Sequence, residues 1–253
     1  MDNTDETATF EREMELDGEP PTLIEGLPGL GLVASIAVDQ ITDQLGLEQY
    51  GTIRSDALPP VASFTDGRVQ DVVRVYAAAD PAVMTLQSDV PIPQQAFRTM
   101  GQCTIGDLAE AFDRAIFLAG APAGSQNEIG DVTGVATMDA VESDLRDAGI
   151  DLAPDNGVVG GVTGAIVSEC YHADIPAALL IVKADPYVPD PAAARAVIED
   201  ALEPLVNFDI DTEELQEQAD KIQERKQQIA QQLKQQYEQQ QPAQPPTGPS
   251  MYQ

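Results

Sequence analysis

The segment 22–41 constrains the fold more than any other part of this sequence. Leu23 and Ile24 indicate a short buried strand, a glycine-rich turn follows, and apolar residues then recur at helical spacing as far as Ile41. The turn contains Gly26, Gly29 and Gly31. Because glycine permits positive φ angles and lets a helix approach a strand closely, the segment predicts one βα unit at the start of an α/β domain.

Strand and helix signals continue to alternate along the chain. The apolar runs 115–119 and 177–182 indicate buried central strands, and Asp190-Pro191 predicts a helix N-cap followed by proline at the first helical position. An alternation of this kind indicates a mainly parallel sheet that is covered by helices on both faces.

Local signals place further elements. Asp66-Gly67 is typical of a tight hairpin turn, and we expect the hairpin, over 61–76, to make the sheet mixed. Asp139 is predicted to cap a helix, and a second glycine-rich run leads into a helix that is predicted to begin near Ala165.

Composition divides the chain into four parts. Residues 1–20 are acidic and are expected to form an arm or an edge strand, and 21–210 carry the α/β core. Residues 211–238 show a narrow apolar stripe, which predicts a long amphipathic helix better suited to pairing with another helix than to burial in a core. Residues 239–253 are rich in Gln and Pro, which predicts a flexible, disordered tail.

Acidic residues dominate the charge of the chain. With 43 acidic and 13 basic residues the net charge is −30, and such a chain cannot neutralise a row of phosphates, so nucleic acid is not an expected partner. The acidic residues are spread along the whole chain, which favours a halophilic cytoplasm, where salt screens self-repulsion. No apolar run approaches the roughly 20 residues of a membrane span, so we expect a cytoplasmic protein with no membrane partner.

Motifs for catalysis or metal binding are sparse. Cys103 and Cys170 lack metal-ligand spacing and are expected to be small buried thiols, while His172 is expected to be a packing or surface residue. Ser35 and Ser168 have no matching pattern of His and acid. We therefore expect no metal, no cofactor and no enzymatic activity.

The glycine-rich turns have two interpretations. Residues 29–34 (GLGLVA) match the dinucleotide fingerprint G-x-G-x-x-A, but Pro28 lies inside the turn and no basic residue accompanies the helix start. We expect structural glycines here, and the alternative is a nucleotide- or nucleoside-binding enzyme or sensor that uses the Gly26–Gly31 turn. The run 157–164 is likewise either a site of close packing or an anion site at a helix N-terminus.

The last three residues, Met251-Tyr252-Gln253, form a hydrophobic-Tyr-X ending. A tyrosine ring supplies rigid contact area and a hydroxyl, and a free terminal carboxylate forms charge-assisted hydrogen bonds to a lysine in a partner's pocket. Since this ending follows a proline-rich tether on a long helix, it predicts capture of the C-terminal carboxylate by a partner.

The segments 23–33 (LIEGLPGLGLV), 55–60 (SDALPP), 157–161 (GVVGG) and 187–191 (YVPDP), taken together, resemble the archaeal members of the proteasome assembly chaperone family. The resemblance covers roughly residues 20–215. It implies a three-layer α/β/α domain similar to that of nucleoside phosphorylases, without established enzymatic chemistry, and self-assembly into small homo-oligomers.

Some archaeal members of that family carry a hydrophobic-Tyr-X tail that inserts into pockets between α-subunits of the proteasome core particle. The matching positions in this sequence are Met251, Tyr252 and Gln253. The resemblance thus implies an ATP-independent, non-catalytic proteasome-binding chaperone or adaptor that acts as a homo-oligomer and docks its C-terminal tail into the α-ring.

Overall fold

The computed structural model describes the backbone of residues 7–240 and the side chains of residues 7–225 and of Gln228. The strands are β1 (Ala8–Arg12), β2 (Thr22–Gly26), β3 (Glu48–Ser55), β4 (Ser63–Thr65), β5 (Arg68–Gln70), β6 (Val73–Ala79), β7 (Ala82–Ser88), β8 (Arg114–Pro122), β9 (Val132–Ala136) and β10 (Ala177–Ala184). Eight of them form one sheet in the order β1-β3-β6-β7-β2-β8-β10-β9, and β4 and β5 form a separate hairpin.

The centre of the large sheet is parallel and its margins are antiparallel. Strands β7, β2, β8 and β10 run in the same direction, whereas β6 is antiparallel to β7 and β9 is antiparallel to β10. Two further antiparallel pairings, of β3 with β6 and of β1 with β3, extend the sheet on the β6 side. We call the edge where β2, β8 and β10 end the carboxyl edge.

Seven α-helices lie within the described residues. They are α1 (Val33–Gln44), α2 (Phe97–Cys103), α3 (Asp139–Asp147), α4 (Gly161–His172), α5 (Pro191–Val197), α6 (Glu203–Val206) and α7 (Glu213–Gln240). One face of the sheet packs on α1, α3, α5 and α6, and the other face packs on α2 and α4. The fold class expected from the sequence, a three-layer α/β/α domain with a mixed sheet and a C-terminal helix, is confirmed.

Alternation along β2 shows how the two layers of core arise. Leu23 lies in the core beneath α2 and α4, and Ile24 lies in the core beneath α1, and neither side chain is exposed. Successive side chains of a strand point to opposite faces, so a strand that is covered on both sides must be apolar throughout. The polar exceptions in β2 are Thr22, which is buried at its start, and Glu25, which is fully buried.

Three local predictions differ from the structure. The Asp66-Gly67 turn does form a tight hairpin, with both φ angles positive, but β4 and β5 pair only with each other, and the mixed character of the sheet comes from its antiparallel margins. Asp139 is the first residue of α3 rather than its N-cap. The N-cap is Met138, which has an extended backbone. Helix α4 begins at Gly161, one turn before Ala165, and Val162 in its first turn is buried.

The start of the C-terminal helix is part of the core. Leu215 is 2% exposed and belongs to the cluster formed by α1 and α5, although the narrow stripe of the sequence favoured pairing with another helix. Arg195 on α5 holds the same turn, because its guanidinium donates to the side-chain oxygen of Gln216. The first turns of α7 are therefore fixed to the domain.

Candidate binding cleft at the carboxyl edge

A cleft with a volume of about 1010 Å³ opens at the carboxyl edge of the sheet and extends over the face of β10 and β9. Its walls are the turn after β2, the end of β8, part of β9 and the glycine-rich loop that leads into α4, with the residues 27–30, 118–122, 134–137 and 155–164. In open α/β sheets, ligands bind in the crevice outside the carboxyl ends of the parallel strands. The topology therefore places the cleft where open α/β sheets bind ligands.

Helix α4 points its N-terminus into the cleft. Its N-cap residue is Gly160, which has no side chain to satisfy the first backbone N–H groups of the helix. Thr163, in the first turn, lines the cleft and donates a hydrogen bond of 3.1 Å from its hydroxyl to Oε1 of Glu25. The helix start is thus tied to the central strand of the sheet.

Glu25 is the most perturbed acid of the site. Burial raises the pKa of its carboxyl from 4.5 to about 8, although the Thr163 hydroxyl and the backbone N–H groups of Leu27 and Leu118 act in the opposite sense. The Leu27 N–H donates to Oε1 over 3.2 Å, and Oε2 has no hydrogen-bond partner among the described residues. At neutral pH the carboxyl of Glu25 is therefore protonated. Leu27 and Thr163, which donate hydrogen bonds to it, both line the cleft.

The sequence contains a signal for Glu25 that pattern reasoning overlooked. An acid in the middle of the apolar segment TLIEG, in a strand that was predicted to be buried, has to find a partner or lose its charge. Thr163 lies 138 positions further along the chain, so no local pattern pairs the two residues.

The three glycines of the first turn occupy different surroundings. A Cβ atom on Gly26 would lie 2.5 Å from Cβ of Val38, so α1 crosses β2 too closely for any side chain. Gly31 has φ of +67°, and a Cβ atom there would lie 3.0 Å from Cβ of Ala184. Gly29 has an extended backbone, faces open space and lines the cleft. Close packing accounts for Gly26 and Gly31 without a ligand.

The electrostatics of the cleft disfavour a phosphorylated ligand. Its lining contains the acids Glu142 and Asp155 and, within the described residues, no lysine or arginine. Much of the lining is apolar, and several of these side chains are exposed to solvent, namely Val135, Val158 and Tyr171. The surface fits an apolar partner with a basic group better than it fits a nucleotide.

Other candidate groups have structural roles. Burial raises the pKa values of the Cys103 and Cys170 thiols to about 12, with the charge of Asp107 contributing at Cys103, so neither is a thiolate nucleophile at neutral pH. His172 is exposed and its ring contacts Tyr171. Within residues 7–240 there is no cluster of His, Cys, Asp and Glu that could hold a metal ion.

Three further expectations concern other parts of the molecule. Asp190 caps α5 as predicted, because its Oδ1 accepts from the N–H of Ala193 over 3.1 Å. Met251, Tyr252 and Gln253 lie outside the described residues. No helix within the described part of the chain has the length and apolarity that crossing a membrane requires.

The fold and the cleft define a class of protein: a three-layer α/β/α domain with a binding surface at the carboxyl edge of a mixed sheet. The chain belongs to the PAC2 family, whose model matches residues 23–230.

The similarity to other proteins extends over nearly the whole chain. The uncharacterised protein MJ0106 of Methanocaldococcus jannaschii is 27% identical over 217 residues, which cover 85% of this chain and 88% of that protein. The crystal structure of Pyrococcus furiosus PbaA, described as an archaeal homolog of proteasome-assembly chaperone, superposes with a TM-score of 0.78 at 22% identity, covering 91% of this chain and 95% of PbaA. The crystal structure of Pyrococcus furiosus PbaB, described as an archaeal proteasome activator, superposes with a TM-score of 0.77 at 18% identity. The match covers 88% of this chain and 99% of PbaB. At these identities the two structures establish a shared fold.

Proposed function

We propose that this protein is an ATP-independent, non-catalytic chaperone or adaptor of the proteasome, which acts as a homo-oligomer and docks its C-terminal tail into pockets of the core-particle α-ring. The observation that carries the proposal is the likeness to PbaA and PbaB over nearly the full length of both proteins. Both are named for their relation to the proteasome, and this chain ends on the hydrophobic-Tyr-X sequence Met251-Tyr252-Gln253.

The path of α7 supports this use of the chain end. The helix begins opposite the carboxyl edge, where the side chain of Gln40, near the end of α1, donates to the carbonyl of Asp211 over 3.2 Å. It then passes α5 and reaches the loop after β8, where Gln126 donates to Gln223 over 3.5 Å. From Gln223 to Gln240 the helix rises by about 25 Å, so it carries the chain away from the domain at the carboxyl edge.

The chemistry of the ending is suited to a pocket between two subunits. The Tyr252 ring would enter an apolar pocket, and the carboxylate of Gln253 would form a charge-assisted hydrogen bond to a lysine. A single tail of three residues binds weakly, whereas several tails on one oligomer raise the overall affinity by about 10² to 10⁴ if their spacing matches that of the pockets. Oligomerisation is therefore part of the proposed mechanism.

Binding to a purified archaeal proteasome core particle tests the proposal. Deletion of residues 251–253, or Tyr252→Ala, should abolish co-sedimentation with the core particle because either change removes the group that fills the pocket. Tyr187→Ala is the matched control, since it removes a tyrosine that is 90% exposed on the domain itself.

Circular dichroism and light scattering should show that the tail variants keep the fold and the oligomeric state of the parent. A C-terminal extension should also abolish binding, since it converts the terminal carboxylate into a peptide bond. Co-sedimentation that survives the deletion would remove the proposal.

A further inference from the structure

The first turn of α4 presents backbone donors to the cleft. Gly161, Val162 and Thr163 line it, and their N–H groups donate to no acceptor among the described residues. The positive end of the helix dipole lies at the same N-terminus. At the N-cap, a Cβ atom on Gly160 would meet nothing within 4 Å, so a ligand can approach this backbone closely.

A buried acid points to the same place. Leu23 lies in the core beneath α2 and α4, and the side chain of Glu25, two positions further along β2, lies on the same face of the sheet. Its Oε1 accepts from Thr163 in the first turn of α4, whereas its Oε2 has no hydrogen-bond partner among the described residues. Because burial raises the pKa of Glu25, this carboxyl holds a proton at neutral pH, and the proton has no acceptor within the described part of the chain.

The walls of the cleft are apolar, with an acid on the same lining. Val135, Val158 and Tyr171 expose apolar surface there. Asp155 is exposed and forms no ion pair with any described side chain. It precedes Gly161 by six positions, so at most about 20 Å separates this acid from the helix start. The cleft therefore offers donors, apolar surface and a negative charge within the length of a short peptide.

We propose that the cleft binds a short apolar peptide, whose C-terminal carboxylate accepts hydrogen bonds at the N-terminus of α4 and whose amino end lies towards Asp155. A carboxylate is an acceptor-only group, and capture of a chain-terminal carboxylate by backbone N–H groups is a recurring mode of peptide recognition. The carboxylate would also supply the acceptor that the Glu25 proton lacks.

Charge and size favour a peptide as the ligand. A peptide with free ends is a zwitterion, so a protein with a net charge of −30 does not repel it as a whole, and its ammonium group complements Asp155. The cleft volume of about 1010 Å³ lies at the upper end of the range for ligand pockets, which leaves room for several residues.

This binding site goes beyond the proposed function and does not depend on it. Peptide hydrolysis is the class of reaction that supplies such ligands. Only this source rests on the proposed function, because an adaptor of the proteasome meets the products of proteolysis.

Titration of the protein into the tripeptide Leu-Trp-Leu tests the ligand. The protein contains no tryptophan, so the fluorescence of the peptide's indole reports binding by itself. In a buffer without carboxylates the free-acid peptide should bind saturably, and its C-terminal amide should bind at least about tenfold more weakly because it brings no negative charge to the helix N-terminus. N-acetylation of the peptide should weaken binding to the parent but not to Asp155→Asn, which has already lost the charge that the ammonium group complements.

Gly160→Asp tests the position of the bound carboxylate. Aspartate is a preferred N-cap residue, so its own side chain should occupy the free N–H groups of α4. The affinity for the free-acid peptide should then fall at least about tenfold below that of Gly160→Ala, which adds a methyl group but no acceptor. A melting temperature no lower than that of the parent would show that the fold is intact.

Val158→Asp tests the apolar wall. Val158 is 97% exposed, so an acid there should leave the fold intact and remove peptide binding. Val69→Asp is the matched control, because Val69 is 77% exposed and lies opposite Phe64, 72% exposed, on the β4–β5 hairpin outside the cleft lining. That hairpin follows β3, which runs parallel to β2 and also ends at the carboxyl edge.

Absence of saturable binding, equal affinity for the acid and the amide, or equal affinity in Gly160→Asp and Gly160→Ala would each overturn the proposal. The variant without residues 251–253 should bind the tripeptide as the parent does. Binding that appears only after this deletion would identify the protein's own chain end as the occupant and would likewise overturn it. None of these measurements contains the proteasome, so their failure is distinguishable from failure of tail docking.

Discussion

Replacement of the buried acid beneath α4 should remove a large pH dependence of stability. Glu25→Gln keeps the shape of the side chain and the oxygen that accepts from Thr163 and Leu27, but the glutamine cannot ionise. The pKa of Glu25 is raised from 4.5 to about 8 by burial, so the folded state holds its proton over a range of 3.5 pH units in which the unfolded state has lost it.

The direction of this pH dependence follows from the number of protons that the folded and unfolded states bind. Below pH 4.5 both states bind the proton, and Glu25 contributes no pH dependence. Between pH 4.5 and about pH 8 the folded state binds one more proton than the unfolded state, so the free energy of unfolding falls by about 1.4 kcal/mol for each pH unit. The total loss is about 5 kcal/mol, of which about 3 kcal/mol is lost by pH 7.

Urea denaturation at a series of pH values measures this effect. From about pH 5 to about pH 8 the free energy of unfolding of the parent should fall relative to that of Glu25→Gln, with the difference changing by roughly 3–5 kcal/mol. Glu110→Gln makes the same chemical change at an exposed carboxylate and controls for the loss of a negative charge. Parallel pH profiles for the parent and Glu25→Gln would refute the reasoning.

Two further predictions concern packing and salt. Gly26→Ala should destabilise the fold by about 1–3 kcal/mol in urea denaturation because its Cβ atom would lie 2.5 Å from Cβ of Val38, whereas Gly29→Ala, which meets open space, should be close to neutral. Equal effects of the two changes would contradict the close crossing of α1 over β2. The melting temperature should rise between low and molar KCl because salt screens the repulsion of a net charge of −30, and a flat dependence would count against a halophilic origin.

Much of the local structure was predictable because its causes are local. The turn after β2, the Asp66-Gly67 hairpin and the Asp190 cap each depend on residues within a few positions of one another. Turn conformation and capping are properties of such short segments. The two central strands β8 and β10 were likewise recognisable, because strands that are buried on both faces tend to contain continuous apolar runs such as 115–119 and 177–182.

The site was less accessible to sequence reasoning because distant segments build it. The sequence singled out the turn at Gly26 to Gly31 and the second glycine run. It did not indicate that both would line one cleft together with β8 and β9. It gave no reason to pair Glu25 with Thr163 or to expect that Phe64 and Val69 would stay exposed. These features depend on strand order and on which helix covers which face of the sheet.

The sequence alone determined the alternation of strands and helices, the acidity of the chain and its hydrophobic-Tyr-X ending, because each is written in residue types and short spacings. Tertiary structure decided the order of the strands, the protonation of Glu25, and the placement of the hairpin, the cleft and the end of α7 at one edge. The physical reason is that a pKa, an exposed surface and a cleft are set by what surrounds a residue in space, and neighbours in space come from segments more than a hundred positions apart.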